Sequence, residues 1–502
     1  MTRDLLAKKT ETRLTGWVAI AAFWFFGVFS HGHFMGSDEV AVFEMTRSLA
    51  EEGNLSVPEM QHTAIGIDGR RHSFFSPGQS VLALPFYHAG RLAERWLPLD
   101  AQRVLRGPPS GYGNYTFGGD LSIAFASLFS TLAGGILMAV FFRFERRLGA
   151  SRQSALKATA LVASSTYVLM LSTYFLRHVA EAACLLGAIL FVFRYAHGSG
   201  PRDLLAASAL ASAAFLLRVP AGFAAPVLAG YIGWAIWLRS DGLRRHRDAA
   251  LAVLCVLLPL ALALAAFAFV NQLRWGNPFG SPMVDQWSRL GNPIQIGLRG
   301  FLLSPGASLF VYSPLLLLLP FTFPVLWRSW RAEAIAFGAL CLSLLLIYSK
   351  FDGWEGLWSA PGPRYLFFAT PLLLLSLGPW LDRPSSKLRS GTLVVLAALG
   401  FFVQLVSTGV HWGSVPALAN YEGFETGWEF LFVVDRAPVV EMARLFFSGG
   451  PYDPWLIRLG EGWLGVNGRP GLALALFAAW AAGLGALVVA IRRECQRLDS
   501  VD

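Results

Sequence analysis

Asp38 and Glu39 stand in the run Gly36-Ser37-Asp38-Glu39, immediately after an apolar stretch near the start of the chain. Residues Val40–Glu52 read as a helix along the membrane surface, with Val42, Met45 and Leu49 on one side and Gly53-Asn54 as its stop. A carboxylate at such a helix start lies in the positive end of the macrodipole and stays ionised, ready to take a proton from an attacking hydroxyl. Asp38 is therefore a candidate general base. Glu39 could orient it or help hold a divalent ion. The structural alternative is that Ser37 or Asp38 only caps the helix.

A second constellation is Lys350-Phe351-Asp352-Gly353-Trp354-Glu355-Gly356-Leu357-Trp358-Ser359-Ala360-Pro361-Gly362-Pro363-Arg364-Tyr365. Lys350 and Arg364 end adjacent apolar segments with a Gly/Pro-rich turn between them, which places two cations at one lipid boundary. There they could grip a phosphate and stabilise charge as it leaves. Trp354 and Tyr365 could line the same cavity, or belong to an aromatic belt. Arg218 ends another apolar segment just before Pro220 and has no partner nearby in sequence, so it joins the phosphate-binding candidates. Arg177, His178 and Glu181 fall at a further junction, where ionisable groups are costly. His178 and Glu181 are cavity candidates, and an Arg177–Glu181 pair one turn apart is the structural alternative. Arg70, Arg71 and His72 follow the turn Gly66-Ile67-Asp68-Gly69 and face the substrate or simply cap a solvated hairpin. His62 is a further residue that could contribute to a divalent ion, but no metal-ligand spacing is present. Glu422, Glu425, Glu429 and Asp435, with Trp412 and Trp428, could line an acceptor groove or pack as lids.

The elements that must position these residues are apolar. Of 502 residues, 55% are hydrophobic and only 15% charged, too few charges for a water-soluble chain of this length. Runs such as Leu251–Val270, Leu315–Trp327 and Leu472–Val489 are nearly free of charge, and most such runs are long enough to cross a bilayer as helices. The composition excludes a disordered chain, a disulfide-stapled domain and a nucleic-acid binder. The expected fold is an all-α polytopic membrane protein with about twelve spans, near 15–33, 119–142, 156–175, 179–196, 203–218, 221–238, 249–271, 306–327, 333–349, 365–381, 391–410 and 471–491. The chain reads as a single membrane domain, 1–502. Within it, 36–118 forms a first external loop, 119–271 the remaining core helices, 272–410 the C-terminal helices and 411–470 a last external loop.

Orientation follows from short basic connections at Arg143–Lys157, Arg239–Arg247, Arg328–Arg331, Arg383–Arg389 and Arg492–Arg497, which stay in the cytosol. Twelve spans with both termini inside satisfy all five. The net charge of +9 is then an orientation signal, concentrated on the inner face. Phe74–Leu92 is apolar but cannot be counted as a span without inverting a basic loop. It is expected along the membrane surface, opened by Ser76 as the cap before Pro77.

Taken together, Gly36-Ser37-Asp38-Glu39 after the first span, a long first outer loop with two surface helices, the Pro77-Gly78 helix start and the Trp354…Gly362-Pro363-Arg364-Tyr365 stretch resemble the C-type (GT-C fold) glycosyltransferases. The likeness is to the branch holding protein O-mannosyltransferases and the lipid A aminoarabinose transferase. The resemblance implies transfer of a sugar from a polyprenyl-phosphate carrier to an acceptor hydroxyl of a lipid, glycan or protein, with inversion. It implies Asp38 as base, Glu39 in support, and Lys350, Arg364 and Arg218 on the phosphate. It also implies a bacterial inner (plasma) membrane enzyme whose site faces the periplasmic, extracytoplasmic side. No cofactor is required beyond an optional divalent ion. The rival is a transporter or lipid flippase. Such proteins show related halves and polar groups at mid-membrane, whereas here the ionisable residues gather towards one face.

Overall fold

Charge-poor runs without interior breakers fold as long helices whose backbone groups are satisfied within the segment, as a hydrocarbon environment demands. The computed structural model describes residues 2–99, 102, 105, 110–112, 115–117, 120–239, 242–282, 290–356, 360–415, 428–463 and 466–499. The segment after α1 (Thr2–Val28) holds α2 (Ser37–Glu51) and α3 (Gly78–Trp96). Between them lies a hairpin of β1 (Thr63–Ile65) and β2 (Arg71–Ser73), with Ala64 opposite His72. Then follow α4 (Leu121–Arg147), α5 (Arg152–Ser165), α6 (Tyr167–Leu171), α7 (His178–Ala196), α8 (Arg202–Leu217), α9 (Ala225–Arg239) and α10 (Gly242–Trp275). The C-terminal half contributes α11 (Ile294–Leu303), α12 (Leu309–Tyr312), α13 (Leu319–Ser329), α14 (Arg331–Lys350), α15 (Ala369–Leu374), α16 (Leu377–Leu381), α17 (Lys387–Gly409), α18 (Pro438–Phe447), α19 (Trp455–Glu461) and α20 (Pro470–Asp499).

Seven helical stretches among the described residues are long and apolar enough to cross a membrane: 121–147, 178–196, 219–239, 246–275, 331–350, 387–409 and 470–498. The chain is thus a multi-pass membrane protein. Of the other five expected spans, 15–33 falls largely in the uninterrupted 27-residue α1, and the remaining four are helical but short or interrupted. Residues 203–218 give the 16-residue α8, and 156–175 break at Thr166. The 306–327 and 365–381 segments split at Ser313 and at Phe367–Phe368 and Leu375–Ser376.

Helix α7 is buried on most sides and forms the centre, packed on α4 and α8. Helices α10 and α20 lie at the rim with nearly bare apolar surfaces; Leu254, Leu258, Leu262 and Leu474 are each more than half exposed. Apolar surface on this scale needs lipid around it. α1 and α4 approach closely because Gly135 carries no side chain: a Cβ there would come within 2.7 Å of the Ala19 carbonyl.

Two local expectations change. Helix α2 is buried along most of its length, from Ser37 through Thr46, so it is an interior helix and not a surface one. Glu44, Thr46 and Ser48 on its polar side are enclosed by protein. Helix α3 does keep an apolar exposed side, with Val81, Leu82 and Leu92 about half exposed. Its capping residue is Pro77, not Ser76, and no side chain caps it.

Candidate active site

Gly36 is the capping residue of α2, which puts Asp38 in the first turn, free of any capping duty. The backbone N–H groups at this end are met instead by Glu39. Its Oε2 accepts from Met35 N (2.6 Å) and Gly36 N (3.0 Å), and its Oε1 accepts from Phe175 N. Glu39 is fully buried; burial pushes its carboxyl up to about 8, against the pull of the three N–H donors. It therefore fixes the start of α2 against the loop before α7, and in doing so fixes Asp38.

Asp38 faces outward from this anchor. Its Oδ2 accepts from Arg364 Nη1 at 2.9 Å, and its Oδ1 lies 3.6 Å from His62 Nε2. Burial works to raise the Asp38 carboxyl, but Arg364, His62 and Arg177 outweigh it and hold the group below the ordinary carboxylate range. His62 is itself lowered, by burial first and then by the two guanidiniums. The Arg177 guanidinium lies 3.9 Å over the Phe75 ring, which is carried on the segment leaving β2.

Arg364 opens the short helical turn 364–366 and is 4% exposed, so it must be held by specific partners. Its Nη1 donates to Asp38, the Tyr365 hydroxyl is a second side-chain partner, and its Nε has no hydrogen-bond partner among the described residues. Five N–H donors with so few acceptors leave capacity for an incoming anion. Behind it runs a narrow cleft, closed here to about 10 Å³, the room of one water, with Arg364, Tyr365, His178, Glu181, Arg218 and Tyr348 on its polar side and leucine, proline, alanine and phenylalanine side chains on the other. Glu181 Oε2 accepts from Arg218 Nη1 at 2.7 Å, and Arg218 Nη2 donates to the Tyr348 hydroxyl at 3.0 Å. Tyr348 and Tyr365 stack 5.0 Å apart within 5° of parallel, with Arg218 and Arg364 near the Tyr365 ring. Arg177 sits at the start of α7 and Arg218 at the end of α8, the antiparallel neighbour, so the charges share one end of the helix pair.

The structure thus brings together Asp38, Arg364, Arg218, His178, Glu181 and Tyr365. It pairs Glu181 with Arg218, not with Arg177 as the one-turn spacing suggested. Lys350 ends α14, makes no hydrogen bond or ion pair from its side chain among the described residues, and does not line the cleft. Trp354 is fully buried against Phe301, Trp428 and Phe432, a core pin and no part of the cleft lining.

Arg70, Arg71 and His72 occupy the hairpin. Arg70 is exposed, Arg71 pairs with Glu59 at 2.8 Å, and His72 is held by Asp68 (3.0 Å) and the Leu55 carbonyl (3.1 Å). The same hairpin is flanked by His62, which reaches Asp38, and by Phe75, which packs on His62 and Arg177. Arg274 reinforces this by donating to the Ser73 and Phe75 carbonyls, both at 2.9 Å. Glu422, Glu425, Trp358 and the rest of 357–359 lie outside the described residues. Glu429 and Asp435 fall in short turns at 429–432 and 434–436 away from the cleft lining.

Sequence reasoning did not assign Arg177 or Glu355 to the site. Glu355 is 6% exposed, and its carboxyl is pushed up to about 7 by burial, against the pull of Arg364. A buried cluster also escaped notice: Asp453 accepts from His33 Nε2 (2.6 Å) and His31 Nδ1 (3.2 Å), with Arg458 beside it. It stitches the segment before α20 to the stretch after α1, with His33 three residues before Gly36. Among the described residues no group of three or more His, Cys, Asp or Glu is arranged to hold a metal ion.

No protein-family model matches the chain, and no curated protein matches it. Solved structures are similar at low identity. One is the crystal structure of ArnT from Cupriavidus metallidurans bound to undecaprenyl phosphate, with 15% identity and a TM-score of 0.47, covering 86% of this chain and 74% of that one. The S. cerevisiae protein O-mannosyltransferase Pmt1-Pmt2 complex bound to the sugar donor gives 15% identity and a TM-score of 0.38, covering 52% and 34%. The Archaeoglobus fulgidus oligosaccharyltransferase in the apo form gives 14% identity and a TM-score of 0.39, covering 91% and 58%. At this distance the likeness is one of form only, and the site's own geometry carries the function.

Proposed function

We propose that the chain is a membrane glycosyltransferase that moves a sugar from a polyprenyl-phosphate carrier to an acceptor hydroxyl on the non-cytosolic face, with Asp38 as general base. The observation that supports it most is the contact between Asp38 and Arg364 at the mouth of a cleft lined with arginine and tyrosine. A base and an anion-binding cation stand side by side where helices end at the membrane boundary. The ArnT and Pmt1-Pmt2 structures, named with undecaprenyl phosphate and a sugar donor, suggest a carrier of the same kind here. A carrier with a prenyl tail stays in the membrane, so its sugar–phosphate bond can be presented only at that boundary.

The donor phosphate takes the open N–H groups of Arg364, with Arg218 and Arg177 adding positive potential. An anion on Arg364 competes with Asp38 for the guanidinium, which loosens the ion pair and makes the carboxylate more basic as the donor arrives. The acceptor oxygen then bonds to the anomeric carbon from the face opposite the phosphate. Its proton passes to Asp38, and the anomeric carbon–oxygen bond breaks to release the polyprenyl phosphate. Single displacement of this kind inverts the anomeric centre. Glu39, with its oxygens taken by three backbone donors, is a positioning residue in this scheme. His62 orients Asp38 and is the neighbour with a ring nitrogen to offer a divalent ion.

Asp38→Asn keeps an acceptor for Arg364 and removes the base. Transfer from radiolabelled polyprenyl-phosphate sugars is expected to fall by about 10²–10⁴-fold, while the purified protein elutes and melts as a folded species. Retained transfer would return Asp38 to a purely structural pairing with Arg364.

A further inference from the structure

His178 opens α7 and is 3% exposed, and neither ring nitrogen has a hydrogen-bond partner among the described residues. A buried imidazole with both nitrogens unmet is costly, unless something that enters the cleft meets them. The ring lines the cleft, 6.2 Å from the centre of the Tyr365 ring, with Glu181 one turn further along the same helix. The ring is buried and shares the cleft lining with Arg218 and Arg364, surroundings that suit an uncharged imidazole with one N–H donor and one lone-pair acceptor.

That count selects the ligand. Phosphate oxygens only accept and would leave one nitrogen unmet. An ammonium group only donates and would leave the other. Hydroxyl groups do both, as does the single water the closed cleft has room for, and a sugar, which would displace that water as the cleft widens, carries several on one rigid ring. The arginines beside it account for the phosphate, and no other side chain in the cleft lining has two unmet polar atoms.

Resting on the glycosyltransferase reading, we infer that His178 is a specificity-determining residue that hydrogen-bonds two hydroxyls of the transferred sugar, in the same cleft whose arginines hold the phosphate. The site then distinguishes donors by hydroxyl position, because an analogue lacking one of those hydroxyls leaves a buried nitrogen unpaired again.

The test compares His178→Phe and His178→Asn with wild type, using synthetic polyprenyl-phosphate hexoses and pentoses and their monodeoxy analogues. Binding of undecaprenyl phosphate, which carries no sugar, is measured by thermal shift in detergent. With wild type, removing a hydroxyl that His178 contacts is expected to lower kcat/KM by roughly 10- to 100-fold. With His178→Phe the parent sugar falls to the level of that analogue, the analogue itself changes little, and undecaprenyl phosphate binds as before. Asparagine, which offers one donor and one acceptor from a similar place, restores part of the discrimination. Equal losses for parent and deoxy donors would make His178 structural and overturn the inference. Weaker undecaprenyl phosphate binding in His178→Phe would overturn it in favour of a phosphate contact. Wild type that neither binds undecaprenyl phosphate nor uses any of these donors would overturn the glycosyltransferase reading itself, and the inference with it.

Discussion

Arg177 holds no hydrogen bond or ion pair with Asp38 among the described residues, yet it helps keep that carboxylate ionised from its seat over Phe75. This separates charge from contact and gives a test of the base. Asp38 is depressed in the folded protein, so its ion pair stabilises the fold at neutral pH, and that contribution is lost as pH falls through the depressed value. If Asp38 is the base, the acid limb of kcat/KM against pH reports the same group. Arg177→Gln removes one of the charges that lower it, so the acid limb is expected to move to higher pH. A limb that does not move would mean that another group titrates there. Asp38 was legible in the sequence because an acid directly after an apolar run, at a helix start, is an unusual placement. His62 was much less so, since a single histidine in a polar loop has no periodic partner to mark it. The Arg177–Glu181 pair was misjudged for a physical reason. Arg177 caps the helix and leans over Phe75, while Glu181 finds Arg218 across a helix boundary that no local spacing announces.

The turn between α14 and residue 364 is what turns a chain reversal into half of the site. Gly356 has φ +61 there, in the left-handed region, and a Cβ on it would come 2.9 Å from Arg364 Nε and 3.0 Å from the Tyr365 ring. Alanine at this position costs roughly 1 kcal/mol in backbone conformation and also pushes against the guanidinium that grips Asp38. Gly356→Ala is therefore expected to raise KM for the lipid donor several-fold or more and to weaken undecaprenyl phosphate binding, with a small fall in melting temperature. Gly391→Ala, where an added methyl meets nothing within 4 Å, serves as the control. Unchanged donor KM in Gly356→Ala would show that the turn does not position Arg364. The Gly/Pro-rich composition of 350–365 announced a chain reversal, but not which of its cations reaches Asp38. Lys350 remains at the helix end, while Arg364 is turned inward by the 360–363 segment, where the Tyr167 hydroxyl donates to the Pro361 carbonyl. Contacts between residues almost two hundred positions apart leave no trace in local spacing.

At the scale of the whole molecule, periodicity and charge gave the all-helical architecture, because a lipid-facing helix such as α10 is written in composition alone. Interrupted helices such as 306–327 were less legible. An apolar run looks the same whether it continues as one helix or kinks at Ser313 and again changes pitch, and only the packing around Tyr167 and Gln404 decides. The orientation still rests on the basic loops, and the position of the site depends on it. Ile67, 65% exposed on the hairpin beside Asp38, and Leu388, 81% exposed at the start of α17 in a basic connection, should lie on opposite faces of the membrane. In a cysteine-free background, Ile67→Cys is expected to react with a membrane-impermeant maleimide applied to spheroplasts. Leu388→Cys is expected to react only after permeabilisation. The four native cysteines are all at least partly shielded, so replacing them removes background labelling with little change to the surface. The reverse pattern would put Asp38 and its cleft in the cytosol. A site there would be open to soluble nucleotide-sugar donors, and the arginines would no longer have a membrane carrier as their natural anion.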